Sequence, residues 1–366
     1  MPRLRSFYLY LTSGCNLACR HCWVKPRFID GRPDPQECID PELLSSAVVE
    51  AKTLGLTHAK LTGGEPLFHP RFREIAAGLS DQGIELDMET NGVLLTPELA
   101  HFLRHETKVD FISVSLDDDD AQSHDAFRGV RGAFDATIRG LDALRDAGFR
   151  NTQIIMSVHR GNAGKIERVV RLAEAHGVSS VKFNPVTGSG RGRQMEERGE
   201  TLGIPELLGL EKFVYGPLKE RTSIQRLILS IPPALRSFPV LMETAGCAGD
   251  CGVTGVLGIL GTGEIAMCGI GQTIRSLVYG KLGDSITELW LNHPKLKTLR
   301  RELADPRNYP GICGDCLMAG SCRTGCVAGN YQEGGGMVRP GRLCREAADL
   351  GLFPAHRRRS WKKDQS

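Results

Sequence analysis

The sequence predicts an α/β fold with a parallel sheet in its first half, followed by a small cysteine-rich domain. In the first half, a helix that ends at a glycine is repeatedly followed by a short apolar strand. The glycines that end these helices are Gly55, Gly83, Gly148 and Gly177. In the second half, eight of the twelve cysteines lie between Cys247 and Cys344. Apolar periodicity therefore predicts the parallel sheet of the first half, and the clustered cysteines predict the small cysteine-rich domain of the second.

The first helix is predicted from Pro41 to Leu54, because apolar side chains recur on one of its faces. Asp40 is a suitable N-cap, and Gly55 ends the helix. Short apolar runs predict six strands, which are Phe7–Leu11, His58–Leu61, Ile84–Met88, Phe111–Leu116, Ile154–Val158 and Val181–Phe183. Strands that alternate with helices imply a parallel sheet with right-handed crossovers.

Six strand–helix units are too few for a closed eight-stranded barrel. A partial (β/α)6 barrel of the TIM type and an open doubly wound sheet both fit the pattern. In either arrangement, the chemistry belongs at the carboxyl ends of the strands.

The second half begins after a polar, glycine-rich segment from Thr187 to Gly203 and a predicted helix around Pro205–Glu220. Gly261-Thr262-Gly263 is typical of a hairpin turn between strands at Val256–Leu260 and Glu264–Met267. We therefore divide the chain into a core domain (1–220), a proline-interrupted bridge (221–246), a cysteine-rich domain (247–348) and a basic tail (349–366).

Composition and charge limit the kinds of partner and the cellular compartment that we expect. The net charge of +3 does not favour nucleic acid. The basic run from His356 to Lys363 is expected to be a solvated terminus, the alternative being an arm that docks an acidic partner. No segment has the length of a membrane span, and the first residues lack the features of a signal peptide. We expect a cytoplasmic protein without membrane or nucleic-acid partners, whose cysteines bind metal instead of forming disulfides.

Cys15, Cys19 and Cys22 follow the first predicted strand as C-x3-C-x2-C. Three thiolates on one loop can hold three irons of a 4Fe–4S cubane and leave the fourth iron open. A structural zinc ion would need a fourth protein ligand. His21 lies between two of the cysteines, and we expect that it is not a ligand.

Gly63-Gly64-Glu65-Pro66 follows the second predicted strand. Its glycines allow the backbone to come close to a ligand, and the Glu65 carboxylate can accept from an ammonium group. Together with the C-x3-C-x2-C loop, this motif resembles the signatures of radical S-adenosylmethionine (SAM) enzymes. The resemblance implies a radical SAM barrel in which Gly63, Gly64, Glu65 and Pro66 bind the amino group of SAM.

Two softer matches to this family concern the rest of SAM. Ser115-Leu116-Asp117 ends the fourth strand and resembles the segment that contacts the ribose, with Ser115 as the expected contact. Arg128 resembles the arginine that holds the SAM carboxylate. The alternative for Arg128 is a surface salt bridge. The Asp117–Asp120 run is expected to be a solvated loop that caps a helix.

The central cysteines of the second half are spaced C-x2-C-x5-C-x3-C, and three more cysteines precede them while one follows. Eight thiolates fit two zinc sites as well as two 4Fe–4S clusters, and the spacing leaves both open. The whole pattern resembles the SPASM domain, an appendage of radical SAM enzymes that holds two auxiliary 4Fe–4S clusters. The resemblance implies one cluster on Cys247, Cys251, Cys268 and Cys326, and another on Cys313, Cys316, Cys322 and Cys344. Cys38 is left over as a free thiol.

The resemblance implies an enzyme that cleaves SAM reductively and uses a 5′-deoxyadenosyl radical to abstract hydrogen from its substrate. We expect the oxidative maturation of a ribosomally made peptide. The alternatives are oxidation of tetrapyrrole side chains or another small molecule, and sulfatase maturation, which is disfavoured because Gly269 follows Cys268 where an aspartate is typical. An iron–sulfur electron carrier or a zinc-stapled binding module is the non-catalytic alternative, but neither needs a SAM site.

The expected partners are a peptide or other large substrate and an electron donor such as flavodoxin or ferredoxin. Fourteen residues precede Cys15, which leaves no room for a fused leader-binding domain, so a peptide would need a separate leader-binding protein or direct docking. Arg191 and Arg193 follow the sixth strand and suit an anionic substrate, the alternative being loop solubility.

Overall fold

The computed structural model of the chain describes residues 1–24, 28–29, 32–34, 37–243, 252–269, 273–334 and 336–359. The strands within these residues are β1 (Ser6–Tyr10), β2 (Phe28–Ile29), β3 (Arg32–Pro33), β4 (His58–Thr62), β5 (Glu85–Thr90), β6 (Val109–Ser115), β7 (Thr152–Val158), β8 (Ser180–Pro185), β9 (Arg226–Leu229), β10 (Val256–Ile259), β11 (Glu264–Ala266) and β12 (Val278–Lys281).

The helices are α1 (Pro41–Thr53), α2 (Phe72–Asp81), α3 (Pro97–His105), α4 (Ala121–Arg128), α5 (Ala133–Asp146), α6 (Ile166–Ala175), α7 (Gly192–Glu197), α8 (Ile204–Phe213), α9 (Phe238–Glu243), α10 (Ile286–Asn292), α11 (Pro294–Glu302), α12 (Ile312–Asp315), α13 (Ala319–Cys322), α14 (Val327–Gly334) and α15 (Arg342–Asp349).

Ten of the strands form one sheet in the order β12-β11-β10-β1-β4-β5-β6-β7-β8-β9. Between β1 and β9 every pair of neighbouring strands in this sheet is parallel. These neighbours are also consecutive in the chain, except that the short pair β2 and β3 lies between β1 and β4 in sequence. A doubly wound sheet reverses its order at a switch point, and this part of the sheet does not. The structure therefore confirms the six predicted strands and selects the partial barrel.

The helices cover one face of this sheet because alternate strand residues and one face of each helix are apolar. Leu9 and Leu61 pack in the same core as Leu44 and Val48 of α1. The N-cap predicted for α1 is present, since the Asp40 side chain accepts from the backbone N–H of Leu43 at 2.9 Å. The opposite face of the strands is left to line the inside of the barrel.

The sheet continues at both ends beyond the six strands predicted in the first half. β9 pairs in parallel with β8 and lies in the segment we expected to be a bridge, where its four residues gave no recognisable period. The β10–β11 hairpin turns at the predicted Gly261–Gly263, and β10 pairs in parallel with β1. The cysteine-rich half thus extends the sheet of the first half instead of forming a sheet of its own.

Helix α10 of the cysteine-rich half forms hydrogen bonds with α1. The Glu50 carboxylate of α1 accepts from the Ser285 hydroxyl at 2.6 Å and from the N–H groups of Ile286 and Thr287 at 3.0 and 2.9 Å. The indole of Trp290, fully buried, donates to the carbonyl of Pro2 at 2.7 Å. A carboxylate at a helix N-terminus is favourable because the free N–H groups and the helix dipole are positive there.

The basic tail differs from the expected solvated terminus as far as it is described. The backbone N–H of Leu317 donates to the Arg357 carbonyl at 2.8 Å, and Arg358 forms an isolated antiparallel bridge with Cys316. The Arg358 guanidinium also donates to the Asp315 carboxylate at 2.7 Å. The described part of the tail therefore packs against the cysteine-rich half. Within the described part of the chain, no helix is long and apolar enough to cross a membrane.

Candidate active site

A cavity of about 370 Å³ opens at the carboxyl ends of the parallel strands. Its wall contains the residues that the sequence singled out in several separate motifs. They are Cys15, Cys19, Cys22, Gly63, Gly64, Glu65, Ser115 and Arg128. Pro66 is buried directly behind this wall as the first residue of a short 3₁₀ turn. The parallel sheet brings these motifs together because consecutive strands end at the same edge.

We call Cys15, Cys19 and Cys22 the three-cysteine loop. Cys15 and Cys19 are buried, and Cys22 is half-buried. The side-chain amide of Asn91 lies 3.8 Å from the Cys15 sulfur, and the Arg128 guanidinium lies 3.6 Å from the Cys19 sulfur. Burial raises the pKa of Cys15 to about 12. Three thiols of one loop around one cavity form a donor set that fits an iron–sulfur cluster with one open iron.

The two glycines of the Gly63–Pro66 motif are required by the three-cysteine loop itself. The Gly64 N–H donates to the Thr12 carbonyl at 2.7 Å, and the Glu65 N–H donates to the Gly14 carbonyl at 2.8 Å. A Cβ on Gly64 would lie 2.1 Å from the Gly14 oxygen, and Gly63 has a φ of +148°. The expected reason for these glycines was close approach to a ligand. The structure adds that they allow the strand end to pack against the backbone just before Cys15.

Glu65 connects the ends of β4 and β5. One carboxylate oxygen accepts from the Thr90 hydroxyl at 2.6 Å and from the Leu67 N–H at 3.2 Å, and the other accepts from the Asn91 N–H at 2.7 Å. Burial raises the pKa of Glu65 to about 7, although these donors favour its charged form. A carboxylate offers about four acceptor positions. One acceptor position therefore remains available for a ligand ammonium group at the cavity wall.

Arg128 and Asp117 form a buried ion pair. The Arg128 Nε lies 2.6 Å from the Asp117 Oδ2, and the two side chains are 7% and 1% exposed. Asp117 Oδ1 also accepts from the Ser157 N–H at 2.8 Å. Burial opposes the charge of Asp117, but the neighbouring Arg128 holds its pKa below the usual range. The alternative of a surface salt bridge for Arg128 is wrong, because both partners are buried beside the cavity.

Asp117 belongs to the segment that resembles a ribose contact, but the sequence did not predict its pairing with Arg128. The Asp117–Asp120 run was expected to be solvated, yet Asp117 and Asp118 are buried. The capping role is present at Asp120, which accepts from the Ser123 N–H at 2.7 Å. The available signal was its position, two residues after Ser115 and directly after a buried strand.

His21 lines the cavity next to the three-cysteine loop, and Arg191 contacts the backbone of that loop. The His21 ring stacks on Phe127 at 4.7 Å and lies 3.2 Å from the Ser157 hydroxyl. Burial lowers the pKa of His21 to about 4. The Arg191 N–H donates to the Cys22 carbonyl at 2.9 Å, whereas Arg193 is exposed. Only one of the two arginines expected to face a substrate therefore lies beside this loop.

A second group of thiols lies in the cysteine-rich half, and we call it the four-cysteine site. Its members are Cys313, Cys316, Cys322 and Cys344, all buried. Burial raises the pKa of Cys313 to about 12, and the nearby Cys322 and Cys316 raise it further. Burial also raises the pKa of Cys344, and the other three thiols add to that effect. Within the described residues no three ligand side chains gather closely enough to hold a single metal ion, so the four thiols supply the ligand number of a fully ligated cluster but not a preformed metal site.

The remaining cysteines occupy different surroundings. Cys268 lies close to Tyr10 and Tyr279, and burial with this thiol nearby raises the pKa of both phenols. Cys326 is exposed. Cys38 is half-buried and donates to the Thr12 hydroxyl at 3.4 Å. The predicted ligands Cys247 and Cys251 lie outside the described residues.

Comparison with known proteins agrees with this geometry. A family profile described as the radical SAM superfamily matches residues 9–193. The AdoMet-dependent heme synthase of Methanosarcina barkeri is 29% identical over 363 residues, which is 94% of this chain and 96% of that protein. The mycofactocin maturase MftC of Mycobacterium ulcerans is 29% identical over 325 residues, covering 88% of this chain and 83% of that protein.

The fold is also similar to a solved structure. The crystal structure of Streptococcus suis SuiB bound to its precursor peptide SuiA superposes with a TM-score of 0.73. The match covers 94% of this chain and 76% of SuiB at 14% sequence identity. Because nearly the whole of this chain is covered, the similarity of fold includes both the parallel sheet and most of the cysteine-rich half.

Proposed function

The chain belongs to the radical SAM superfamily, a family of SAM-dependent iron–sulfur enzymes, and from this premise we propose that it matures a ribosomally made peptide with the help of three 4Fe–4S clusters. One observation supports the catalytic part above all others. The three-cysteine loop, the Gly63–Pro66 motif, Ser115 and Arg128 come from separate parts of the chain and line a single cavity. A carrier of electrons has no need of such a cavity.

We assign roles to these residues by their chemistry. The three-cysteine loop holds the first cluster and leaves one iron open. Glu65 accepts from the SAM amino group with its remaining acceptor position, and Arg128 faces the SAM carboxylate while Asp117 fixes its orientation. Ser115 lies at the cavity wall where it can bind the ribose. When bound at the cluster, SAM supplies a 5′-deoxyadenosyl radical, and the surrounding protein aims it and excludes water.

The two auxiliary clusters remain part of the proposal. The four-cysteine site supports one of them, because its buried thiols form a complete ligand set. Cys268 and Cys326, with Cys247 and Cys251, are the proposed ligands of the other. Fully ligated clusters suit electron transfer to or from the substrate. The proposed domain division is a radical SAM core at 1–220, a bridge at 221–246, a SPASM domain at 247–348 and a tail at 349–366.

A peptide substrate is supported by the relation to mycofactocin maturase MftC. A tetrapyrrole is the second candidate, because the heme synthase of Methanosarcina barkeri is equally similar and covers slightly more of the chain. For the peptide we propose a separate leader-binding protein. For either substrate we propose a cytoplasmic enzyme that receives electrons from a flavodoxin or ferredoxin.

The deciding experiment incubates anaerobically reconstituted enzyme with SAM, a reductant, and either precursor peptides encoded beside its gene or iron-bound porphyrins that carry propionates. Mass spectrometry follows each candidate and the formation of 5′-deoxyadenosine. The protein is expected to bind about twelve irons. A mass loss from a peptide supports the maturase. Conversion of a porphyrin while every peptide is inert would establish the second candidate instead.

A further inference from the structure

Two buried arginines lie beside the four-cysteine site. Arg236 and Arg357 are 4% and 8% exposed. The Arg357 Nη2 donates to the carbonyl of Arg236 at 3.2 Å, which joins the two residues across 121 positions of sequence. Arg357 also stands next to the thiol group, because its carbonyl accepts from the N–H of Leu317, the residue that follows Cys316. The two arginines therefore come from the bridge segment and from the tail.

Neither of these two guanidinium groups forms a salt bridge within the described residues, and each donates to a backbone carbonyl instead. Arg236 Nη1 and Arg357 Nε have no hydrogen-bond partner among the described residues. Neither side chain forms an ion pair with a carboxylate of the described part of the chain, although Glu211 lies near Arg236. Burial disfavours the charge of Arg236 and lowers its pKa, which Tyr215, Cys322 and Glu211 partly offset. Burying an uncompensated charge is costly, so an anionic group is expected nearby.

The other arginines around the four-cysteine site have hydrogen-bond acceptors in the described residues. Arg345, near Cys344, donates to the Glu333 carboxylate at 2.6 Å. Arg358 donates to the Asp315 carboxylate at 2.7 Å. Arg359 lies near Cys316 and reaches the Gly314 carbonyl at 3.4 Å in an exposed position. Arg236 thus lies near Cys322 and Arg357 near Cys316, and neither forms a salt bridge with a carboxylate of the described residues.

We propose that Arg236 and Arg357 raise the reduction potential of the cluster held by the four-cysteine site. The inference rests on the proposed auxiliary cluster and concerns its electrostatics. A cluster with four thiolate ligands is anionic and gains one more negative charge on reduction. Buried positive charge favours the reduced form, as do N–H donors to the sulfurs such as Met318 N–H to Cys316 at 3.3 Å. The arginines would make this cluster suited to accepting an electron.

The test measures the midpoint potential of this cluster by an EPR-monitored redox titration of the full-length reconstituted protein. Its signal is identified by its absence from a variant in which Cys313 and Cys344 are replaced by Ala. Arg236→Gln and Arg357→Gln are each expected to reduce the ratio of reduced to oxidised cluster at least about tenfold at a fixed potential, which is 59 mV for a one-electron couple. Arg236→Lys and Arg357→Lys keep the charge and are expected to restore most of this ratio.

Arg275→Gln is the matched control, because it removes an exposed arginine that pairs with Glu264. If a Gln variant fails to bind the cluster, a Lys variant that binds it still supports the electrostatic role. Unchanged potentials in the Gln variants, or Lys variants that behave like the Gln variants, would overturn the proposal. A wild-type protein that binds iron for a single cluster would contradict the proposed cluster count instead, so the two failures are distinguishable.

Discussion

The three-cysteine loop lies at the wall of a cavity of about 370 Å³, whereas the four-cysteine site is enclosed by short helices and buried arginines. The first set is placed by the ends of parallel strands, so its free side points toward the space where a substrate can enter. The second set lies on or directly after α12, α13 and α15, and the other three thiols add to the raised pKa of Cys344. Side chains of the same kind thus lie at an open cavity in one place and among short helices in the other, and this difference is the basis of the two roles we propose.

The comparison also shows how charge is used in the two regions. At the cavity, the buried Arg128 is paired with Asp117, so its position is fixed before any ligand arrives. At the four-cysteine site, Arg236 and Arg357 have no such carboxylate partner among the described residues. An arginine that is paired with a carboxylate is fixed in position and can orient a ligand. A buried arginine without such a partner instead stabilises negative charge on the group beside it.

The largest expected effect comes from removing one cysteine set at a time. Replacing Cys15, Cys19 and Cys22 together by Ala should remove about a third of the iron and abolish formation of 5′-deoxyadenosine from SAM, because no open iron remains. Replacing Cys313 and Cys344 by Ala should also remove about a third of the iron but leave slow SAM cleavage intact. Iron analysis and chromatography check both. Equal SAM cleavage in the two variants would contradict the division of roles.

The next effect tests how the three-cysteine loop is positioned. Gly64→Ala should prevent most molecules from assembling the first cluster, because its Cβ would lie 2.1 Å from the Gly14 oxygen and backbone must move. Gly78→Ala in α2 is the control, since a Cβ there meets nothing within 4 Å. Iron content and the amount of 5′-deoxyadenosine are the measurements. A Gly64→Ala protein as active as Gly78→Ala would show that the loop does not depend on this contact.

A smaller effect is expected at Glu65. Glu65→Gln should weaken SAM binding roughly tenfold to a hundredfold, because it removes a charge-assisted hydrogen bond worth about 1.5–3 kcal/mol. It also places an amide N–H₂ against the backbone N–H of Asn91 or Leu67. Thr90→Val is the matched control that removes a donor to Glu65 and keeps the carboxylate. Equilibrium binding of SAM to both variants separates the roles, and equal losses would mean that Glu65 acts through the turn alone.

The smallest effect concerns the connection between the two regions. Glu50→Gln should lower the free energy of unfolding by about 1 kcal/mol, because a neutral amide interacts less well with the N-terminus of α10. The exposed Glu106→Gln serves as the control. Chemical denaturation of the reconstituted protein measures both changes. We expect one cooperative transition, since β10 belongs to the same sheet as β1. Two separate transitions would show that the regions fold independently.

Much of this architecture could be predicted from short stretches of sequence. The strands from β1 to β8 that line the barrel follow from apolar runs bounded by glycines, and the N-cap of α1 follows from Asp40. The hairpin at Gly261–Gly263 follows from its turn residues. The residues at the cavity were predictable because the cysteine spacing and the Gly-Gly-Glu-Pro motif at strand ends resemble the signatures of a known family. The signals for strands and helices are local, because the apolar period of each element can be recognised within a short stretch of sequence.

The tertiary structure decided what depends on residues far apart in the chain. It selected the partial barrel, placed β10 against β1, buried Asp117 against Arg128, and brought the tail to the four-cysteine site. The sequence shows Asp117 as part of an acidic run and Arg357 as part of a basic run, and such runs are usually solvated. Whether a charged side chain is solvated or buried depends on the partners that the fold brings to it. When two segments that are distant in the chain pair with each other, neither segment shows a periodic pattern that would reveal the pairing.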